Sequence, residues 1–393
     1  MAAPIPGTML RMIPVPGVFI AGVVMFLLVL WDAFEAIILP RRVTRKFRLT
    51  RIYYRFTWAS WKFYARLIPA RKSRETFLGF YGPISLLFLI GIWAIGLVLA
   101  FGLMQYGAGS AVNLSGSNPS LYTDFYLSGT TFFTLGLGDV LPRSGIARFL
   151  VVTECGFGFG FLAAVIGYLP FIYGAFGRRE TNISLLDARA GTPPTAGELL
   201  RRHAYPNGKE ALRELLKEWE HWCAELLESH LSYPVLAYFR SQHDNQSWIG
   251  SLTAILDVCA LAIAGIEGAC AKQAELTFAI ARHAVADLCQ VFSATPRAPL
   301  ADRLPAETLA KLRMKMAQHG ATLSATPEAD QKLLELRRMY EPYVNALAIH
   351  LSQTLPPWIP DHKSKDNWQT TAWAQSIGAT KTEPISLVQD DHF

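Results

Sequence analysis

The chain has 393 residues, of which 51% are hydrophobic and 17% are charged, and its formal net charge is +6. Mean hydropathy is only +0.22, so the apolar residues must be concentrated in part of the chain, as in a membrane protein with an attached soluble part. Residues 41–74 contain twelve Lys or Arg and no acid, which more than accounts for the net charge. Membrane lipid, and not nucleic acid, is therefore the expected partner of these bases.

Three segments are long and apolar enough to cross a bilayer, which takes about 20 apolar residues. They are residues 18–39, 80–104 and 146–176. The first lies in a predicted N-terminal transmembrane helix, residues 1–40, which we expect to be retained because no small-residue cleavage site follows its apolar core. A further apolar run, residues 121–137, is too short to span and is predicted to re-enter the membrane from one side.

The orientation of these segments follows from the basic residues. Bases follow the first span in residues 41–74 and the third span at Arg178 and Arg179, whereas the 105–120 loop has none. Basic loops stay on the cytoplasmic side. The N-terminus is therefore expected outside, the re-entrant run enters from outside, and the C-terminal half is cytoplasmic.

Residues 41–79 interleave bases with aromatic side chains and are predicted to form a cytoplasmic interfacial segment. Aromatic rings suit the headgroup layer, and the bases of residues 41–74 are attracted to anionic lipid. Four arginines recur at every third position, which leaves a voltage-sensing helix as an alternative: Arg42, Arg45, Arg48 and Arg51. The interfacial helix is favoured, because three spans leave no room for a four-helix sensor ahead of the second and third spans.

Six residues at the end of the re-entrant run alternate glycine with other residue types: Thr134, Leu135, Gly136, Leu137, Gly138 and Asp139. Backbone polar groups without partners are normally intolerable at membrane depth. They become useful when several copies face one axis, because the carbonyls of residues 134–137 then replace the water shell of a cation. The glycines supply backbone conformations that residues with a Cβ reach only at a cost.

These six residues, together with the preceding residues 128–133, resemble the pore helix and selectivity filter of potassium channels. The usual filter reads T-V/I-G-Y/F-G-D, and this chain departs from it at Leu137, where an aromatic residue usually stands. Leucine at this place resembles the second filter of some two-pore-domain potassium channels. The resemblance implies a pore domain over residues 80–180, with filter 134–139, that conducts K⁺ through backbone carbonyls.

The resemblance also implies an assembly. One filter segment supplies a quarter of a ring, and the sequence has no second T-x-G-x-G-D motif, so a homotetramer with cyclic symmetry is expected. A potassium channel is the leading hypothesis. A weakly selective cation channel, motivated by Leu137, and a membrane-anchored sensor or scaffold with a non-conducting pore are the alternatives.

Two residues of the predicted inner helix are candidates for gating. Counted from the filter, Gly158 falls where simple bacterial potassium channels carry a hinge glycine, and close helix packing is the alternative. Pro170 removes a backbone hydrogen bond and is expected to bend the helix near its cytoplasmic mouth. The bend either shapes a gate or is static.

Several acidic residues are expected close to the filter or the spans. Glu154 lies inside an apolar span, which makes it a functional candidate, and we expect it behind the filter with Thr130 or Thr131 as its partner. Asp124 is expected near the start of the pore helix, where a negative side chain is favoured. Asp139 ends the filter at the outer mouth.

Asp32 and Glu35 lie one helical turn apart near the end of the first span. Acids at this depth need a partner. Ion pairs with the bases that follow are expected, namely with Arg41, Arg42 or Arg45.

A predicted linker, residues 181–195, precedes a cytoplasmic α-helical domain, residues 196–358, and a tail, residues 359–393, that is expected to be disordered. Apolar residues recur at three- and four-residue spacing in segments 210–231, 307–319 and 328–355. Segment 248–271 is apolar almost all round. A central buried helix of a bundle is favoured there over a fourth span.

No catalytic motif stands out in the cytoplasmic part. It lacks a nucleophile triad and a phosphate loop, so neither enzymatic activity nor a cofactor is expected, and its ligand is left unidentified. A weak metal candidate is a helix face with His221, Glu225 and Glu228. The five cysteines have no metal-binding spacing and are expected to be free, buried thiols: Cys155, Cys223, Cys259, Cys270 and Cys289.

The sequence thus predicts an all-α membrane protein. A pore-loop channel module of outer helix, pore helix, filter and inner helix follows one extra transmembrane helix and precedes a cytoplasmic helical bundle. We expect a multi-pass protein of the cell membrane, of the bacterial inner-membrane type, with the bundle as a candidate regulator.

Overall fold

The computed structural model describes residues 14–39, 48–109, 112–114, 120–243, 245–265 and 269–360. The regular secondary structure of these residues is helical apart from one two-stranded ladder. The chain divides into two compact units. The first unit comprises Met1–Arg74 and Pro83–Tyr173, and the second comprises Glu75–Gly82 and Gly174–Phe393.

Six helices lie wholly or partly in the first unit: α1 (Pro16–Ile37), α2 (Leu49–Arg66), α3 (Arg71–Gly79), α4 (Tyr81–Gly107), α5 (Leu121–Phe132) and α6 (Gly145–Ala190). Four helical stretches of the described residues are long and apolar enough to cross a membrane: Pro16–Ile37, Arg71–Gly107, Gly145–Ala190 and Trp248–Gly265. The second and third of the predicted spans lie within these helices, and the first does so except for its last two residues, because the helix ends at Ile37. The predicted all-α membrane fold is confirmed, and α5 is too short to span.

Helix α1 packs closely along α4. A Cβ added at Gly22 would lie 2.8 Å from the Ala100 carbonyl oxygen, and one at Gly107 would lie 2.3 Å from the Phe19 backbone nitrogen. Small residues allow membrane helices to approach in this way. The apolar cluster between α1 and α4 extends to Phe132 at the end of α5.

Asp32, near the end of α1, joins three helices. Its carboxylate accepts hydrogen bonds from the Thr50 backbone nitrogen at 3.2 Å, the Thr50 hydroxyl at 2.6 Å and the Trp93 indole at 2.9 Å. It therefore satisfies a donor in the first turn of α2, as a capping side chain does. Glu35 pairs with Arg48 at 3.2 Å. The predicted partners of the two acids lie outside the described residues: Arg41, Arg42 and Arg45.

A short antiparallel ladder, which sequence reasoning did not predict, adjoins the filter. Strand β1 (Val112–Leu114) pairs with β2 (Val140–Pro142), with Asn113 opposite Leu141. Since β2 begins directly after Asp139, the ladder attaches the C-terminal end of the predicted filter to the chain that follows α4.

The second unit is a helical bundle. Its elements after α6 are α7 (Ala196–Arg202), α8 (Gly208–Ser232), a 3-10 helix (Pro234–Tyr238), α9 (Trp248–Gly265), α10 (Ala269–Phe292), α11 (Ala306–Gln318) and α12 (Pro327–Leu351). Helices α8, α11 and α12 correspond to the three segments with predicted helical spacing. The segment predicted as one helix, 248–271, is interrupted, because α9 ends at Gly265 and α10 begins at Ala269.

Helix α9 is the central helix of this bundle. Every residue from Trp248 to Ala262 is buried, and α7, α8, α10 and α12 all pack against it. Although α9 is apolar enough to span, 83% of its most apolar window is buried inside the protein, compared with 22% for α1 and 17% for α6. A helix enclosed on all sides has no face for lipid, which favours the predicted central helix.

The predicted linker, residues 181–195, is shorter in the structure. Helix α6 continues to Ala190, because Ile183, Leu186 and Ala190 recur at helical spacing and are buried. Only residues 191–195 join α6 to α7. Most of the predicted tail lies outside the described residues, which end at residue 360.

A buried network of ion pairs connects α9, α12 and the segment before α11 within the bundle. Arg303 donates to both carboxylate oxygens of Asp257, at 2.7 and 3.1 Å, and to Glu341 at 3.2 Å. Tyr340 also donates to Asp257, and Arg337 pairs with Glu341 at 3.1 Å. The one acid at the centre of α9 is therefore charge-compensated from two other segments, as a buried carboxylate requires.

Candidate functional site

Helix α5, which leads into the filter, begins with a capping box. The Ser120 hydroxyl accepts a hydrogen bond from the Thr123 backbone N–H at 3.4 Å, and the Thr123 hydroxyl accepts one from the Ser120 N–H at 3.3 Å. These bonds satisfy two of the donors that a helix start leaves free. Asp124 lies in the first turn and is fully buried, where a negative side chain is favoured.

Helix α5 ends at Phe132 and is followed, after Phe133, by a left-handed residue, Thr134, which is the first residue of the predicted filter. Its φ is 57°, and its N–H donates to the Thr131 carbonyl at 3.0 Å, while that of Leu135 donates to the Thr130 carbonyl at 2.7 Å. These two bonds form the Schellman arrangement. A β-branched residue seldom adopts positive φ, so the surrounding structure must hold Thr134 in place.

Positive φ recurs at every second residue of the filter. Like Thr134, Gly136 and Gly138 have positive φ, at 54° and 78°. Leu135 and Leu137, which lie between them, do not. A chain that alternates left- and right-handed residues gathers its N–H groups on one side, and its carbonyls therefore face the other. The alternation of φ therefore favours the predicted row of aligned carbonyls.

The carbonyls of residues 134–137 accept no hydrogen bond from any residue that the structure describes. Leu135 and Gly136 instead both direct their N–H groups at the Thr130 carbonyl, at 2.7 and 3.3 Å. The Leu135 and Leu137 side chains are 63% and 65% exposed. A single chain therefore leaves both the filter oxygens and the apolar side chains between them uncovered.

Asp139 is held from two sides at the end of the filter. Tyr126 of α5 lies close enough to its carboxylate to interact with it electrostatically, and the carboxylate accepts a hydrogen bond from the Val140 backbone N–H at 3.1 Å. Sequence reasoning placed Asp139 at the outer mouth but missed Tyr126. The available signal was a polar aromatic residue about two turns before the end of α5.

Glu154 of α6 is fully buried and contacts α5. Its partner is the Ser128 hydroxyl, which also lies 2.7 Å from the Val98 carbonyl oxygen of α4. One small side chain therefore joins the three helices of the filter module. A buried carboxyl group is tolerated only with such partners.

The structure pairs Glu154 with Ser128 and not with the predicted Thr130 or Thr131. The Thr130 hydroxyl donates to the Leu127 carbonyl at 3.0 Å, as a helical threonine commonly does. Ser128 lies almost one helical turn before Thr131, on the same face of α5. Identifying the partner from sequence would have required the rotation of α5 against α6, which the spacing does not give.

Gly158 is in close contact with the end of α5. A Cβ added there would lie 2.1 Å from the Phe132 carbonyl oxygen, whereas one at Gly156 or Gly160 would meet nothing within 4 Å. The close-packing alternative therefore describes Gly158 in this structure. Helix α6 continues without interruption through Gly158 and Pro170.

The remaining candidate groups do not form a site. His221, Glu225 and Glu228 are exposed on α8, and among the described residues no three His, Cys, Asp or Glu side chains are grouped to hold a metal ion. Of the five free cysteines, Cys155 is exposed and the other four are buried, so the expectation of buried thiols does not hold for Cys155.

Comparison with known proteins points to the same part of the chain. Residues 85–170 match the family model described as "Ion channel". The match includes most of α4, all of α5, the filter and α6 as far as Pro170, and it confirms the resemblance to the potassium-channel family in this part. No curated protein and no solved structure matches the chain. The protein is thus a membrane protein with an ion-channel domain.

Proposed function

We propose that the protein is a homotetrameric potassium channel, in which K⁺ passes through four copies of the filter Thr134–Asp139. The proposal depends chiefly on one observation: four consecutive carbonyls, at residues 134–137, have no partner among the described residues and follow a backbone with alternating φ. Rings of such carbonyls replace the hydration shell of a cation. The channel is passive and has no catalytic step.

The tetramer follows from what one chain leaves uncovered. The filter side chains Leu135 and Leu137 are exposed, as are Val152, Phe159 and Ile166 along α6. A four-fold ring covers the filter side chains with neighbouring chains and turns the inner helices toward a central cavity. Cyclic symmetry supplies the identical carbonyl rings that a single chain cannot form.

Gating is assigned to α6. Gly158 packs against the last residue of α5, so a movement of α6 at this point changes the support of the filter. Pro170, further along α6, cannot donate a backbone hydrogen bond to the preceding turn, which weakens the helix at this point. Glu154 and Ser128 keep α5 and α6 in register behind the filter.

The topology and the lipid contact are part of the same proposal. The N-terminus lies outside, α4 and α6 are the outer and inner helices of the pore, and the helical bundle is cytoplasmic, following the distribution of basic residues. Helix α2 lies in the inner interface. Its exposed side chains include Ile52, Phe56 and Phe63 on one face, and its four bases and lack of acids favour anionic lipid.

Potassium flux through the purified protein in liposomes tests this proposal. We expect flux that barium blocks in the wild type and that Gly136→Asp abolishes, because a carboxylate side chain and a strained φ at position 136 destroy the carbonyl array. A wild type that conducts Na⁺ and K⁺ equally would identify a weakly selective cation channel, with Leu137 as the cause. A wild type without flux in all conditions would refute the channel and favour the scaffold.

A further inference from the structure

The segment Pro234–Arg240, here called the bridge segment, is bound to the inner helix α6 by Arg179. This guanidinium donates to the Leu236 and Phe239 carbonyls, at 2.8 Å each. Arg179 is almost completely buried and pairs with Glu180 at 2.8 Å. A buried arginine that satisfies two backbone carbonyls is a strong attachment, because its loss would leave both acceptors unpaired.

The same bridge segment contacts the beginning of the outer helix α4. The Tyr81 and Tyr238 rings pack edge to face with centroids 5.2 Å apart. The Phe239 ring lies so close to Gly82 that a Cβ at this position would be only 2.7 Å from it, so there is no space for a side chain. Arg240 pairs with Glu75 at 2.7 Å. The bridge segment is therefore held on one side by α6 and on the other by the chain that enters α4.

The two attachments differ in strength. The Arg179 side chain is 3% exposed, whereas that of Glu75 is 43% exposed. Exposed ion pairs contribute little, while separating a buried and hydrogen-bonded arginine from its partners is costly. Of the polar contacts of the bridge segment, the ion pair with Glu75 is therefore the one that separates at the lower cost.

We propose that the bridge segment is a clamp that moves with α6 and must separate from residues 75–82 before the pore opens. This inference rests on the proposed channel function, in which the cytoplasmic part of α6 moves relative to α4. A contact present in only one of two states biases the equilibrium toward that state. The helical bundle thus opposes opening through the bridge segment, and whatever loosens the clamp promotes conduction.

A reversible cross-link tests the clamp. A Cβ at Gly79 would lie 4.0 Å from the Arg240 Cβ, within the range of about 3.5–4.5 Å that a disulfide needs. In the double variant Gly79→Cys/Arg240→Cys in liposomes, oxidation should lower K⁺ flux at least about fivefold, the lower end of typical allosteric coupling, and reductant should restore it. The two single-cysteine variants should show no such loss.

A loosening variant tests the clamp in the opposite direction. Glu75→Ala removes the ion pair with Arg240 and should raise K⁺ flux by up to about fivefold, the upper end of the effect of an exposed ion pair. The matched control is Glu275→Ala on α10. This change removes an exposed ion pair with Lys272, in which the two side chains are 2.9 Å apart. The control should leave the flux unchanged.

The outcomes separate this inference from the channel proposal. Three outcomes would overturn the clamp: a complete cross-link with unchanged K⁺ flux, a cysteine pair that does not cross-link, or a Glu75→Ala variant with lower flux. None of them would overturn the channel proposal if the wild type still conducts K⁺ and Gly136→Asp abolishes this flux. A wild type without flux, measured before any oxidation, would overturn the channel proposal and the clamp with it.

Discussion

Single glycines in the pore domain meet two different physical demands. Gly136 and Gly138 adopt positive φ with nothing near the position of a Cβ, so conformation alone requires glycine there. Gly158 has an ordinary helical backbone but no space beside the Phe132 carbonyl. A conformational requirement and a spatial requirement are thus separable within about twenty residues of one chain.

Gly158→Ala should destabilise the protein, whereas Gly156→Ala and Gly160→Ala should not. The added methyl group at position 158 overlaps the Phe132 carbonyl, and we expect a loss of about 1–3 kcal/mol in the free energy of unfolding, together with altered K⁺ flux. At the other two positions the space is free, and alanine stabilises a helix by up to about 1 kcal/mol. Thermal unfolding of the three detergent-solubilised variants checks the difference in sign. Equal effects at all three positions would contradict the close contact.

Ser128→Ala should destabilise the filter module. Without the hydroxyl, the buried Glu154 carboxyl loses its partner, which costs about 1–3 kcal/mol. Ser128→Ala/Glu154→Met removes both polar groups and should lose less than the sum of the two single variants, with a coupling of about 0.5–3 kcal/mol. Thermal unfolding of the four proteins measures this coupling. Strict additivity would show that the two side chains do not interact.

At the scale of elements, the bundle depends on buried polar groups where helices meet. The Nε2 atom of His230, on α8, lies 3.4 Å from the Nη1 atom of Arg179, and its imidazole ring packs against the Trp248 ring of α9. Burial, together with the neighbouring Arg179 guanidinium, lowers the pKa of His230 to about 3. Its imidazole is therefore neutral in the folded bundle at neutral pH.

This depressed pKa predicts acid sensitivity. Below about pH 6.5 the unfolded state binds a proton at His230 that the folded state does not bind, so stability falls as the pH is lowered. The slope approaches about 1.4 kcal/mol per pH unit until the folded pKa is reached. Urea or thermal unfolding between pH 5 and 6.5 should show the loss in the wild type and a smaller one in His230→Gln. Equal slopes in both proteins would contradict the assignment.

Strong local patterns made several elements predictable. The apolar runs located α1, α4 and α6, and the T-x-G-x-G-D motif identified the loop in which Thr134, Gly136 and Gly138 adopt positive φ. Helix α10 was missed because its buried face relies on small residues such as Ala274, Ala281 and Ala284, which contrast little with the exposed face. The β1–β2 ladder was missed because strands of three residues have no readable alternation.

The partners of individual side chains were less predictable. The expected bond from Glu154 to Thr130 or Thr131 is made to Ser128, because helix rotation selects among neighbouring residues that sequence treats alike. The bridge segment joins residues near position 80, position 179 and position 239, which are far apart along the chain. Such contacts arise from tertiary packing, and no local period encodes them.

At the scale of the whole molecule, the proposed channel requires an assembly of several chains. One protomer has an open row of filter carbonyls and exposed apolar residues on α6. Native mass measurement of the detergent-solubilised protein should give four times the 43.6 kDa protomer mass. A monomer or dimer that still conducts K⁺ would contradict the four-fold filter.

The most direct test of the central claim is the reversal potential of the reconstituted protein with K⁺ on one side and Na⁺ at the same concentration on the other. Each tenfold preference for K⁺ shifts this potential by about 59 mV. We predict a shift of more than about 59 mV toward the potassium equilibrium potential, because the carbonyls of residues 134–137 then discriminate between the two ions. A reversal potential near zero, with current still lost in Gly136→Asp, would contradict potassium selectivity.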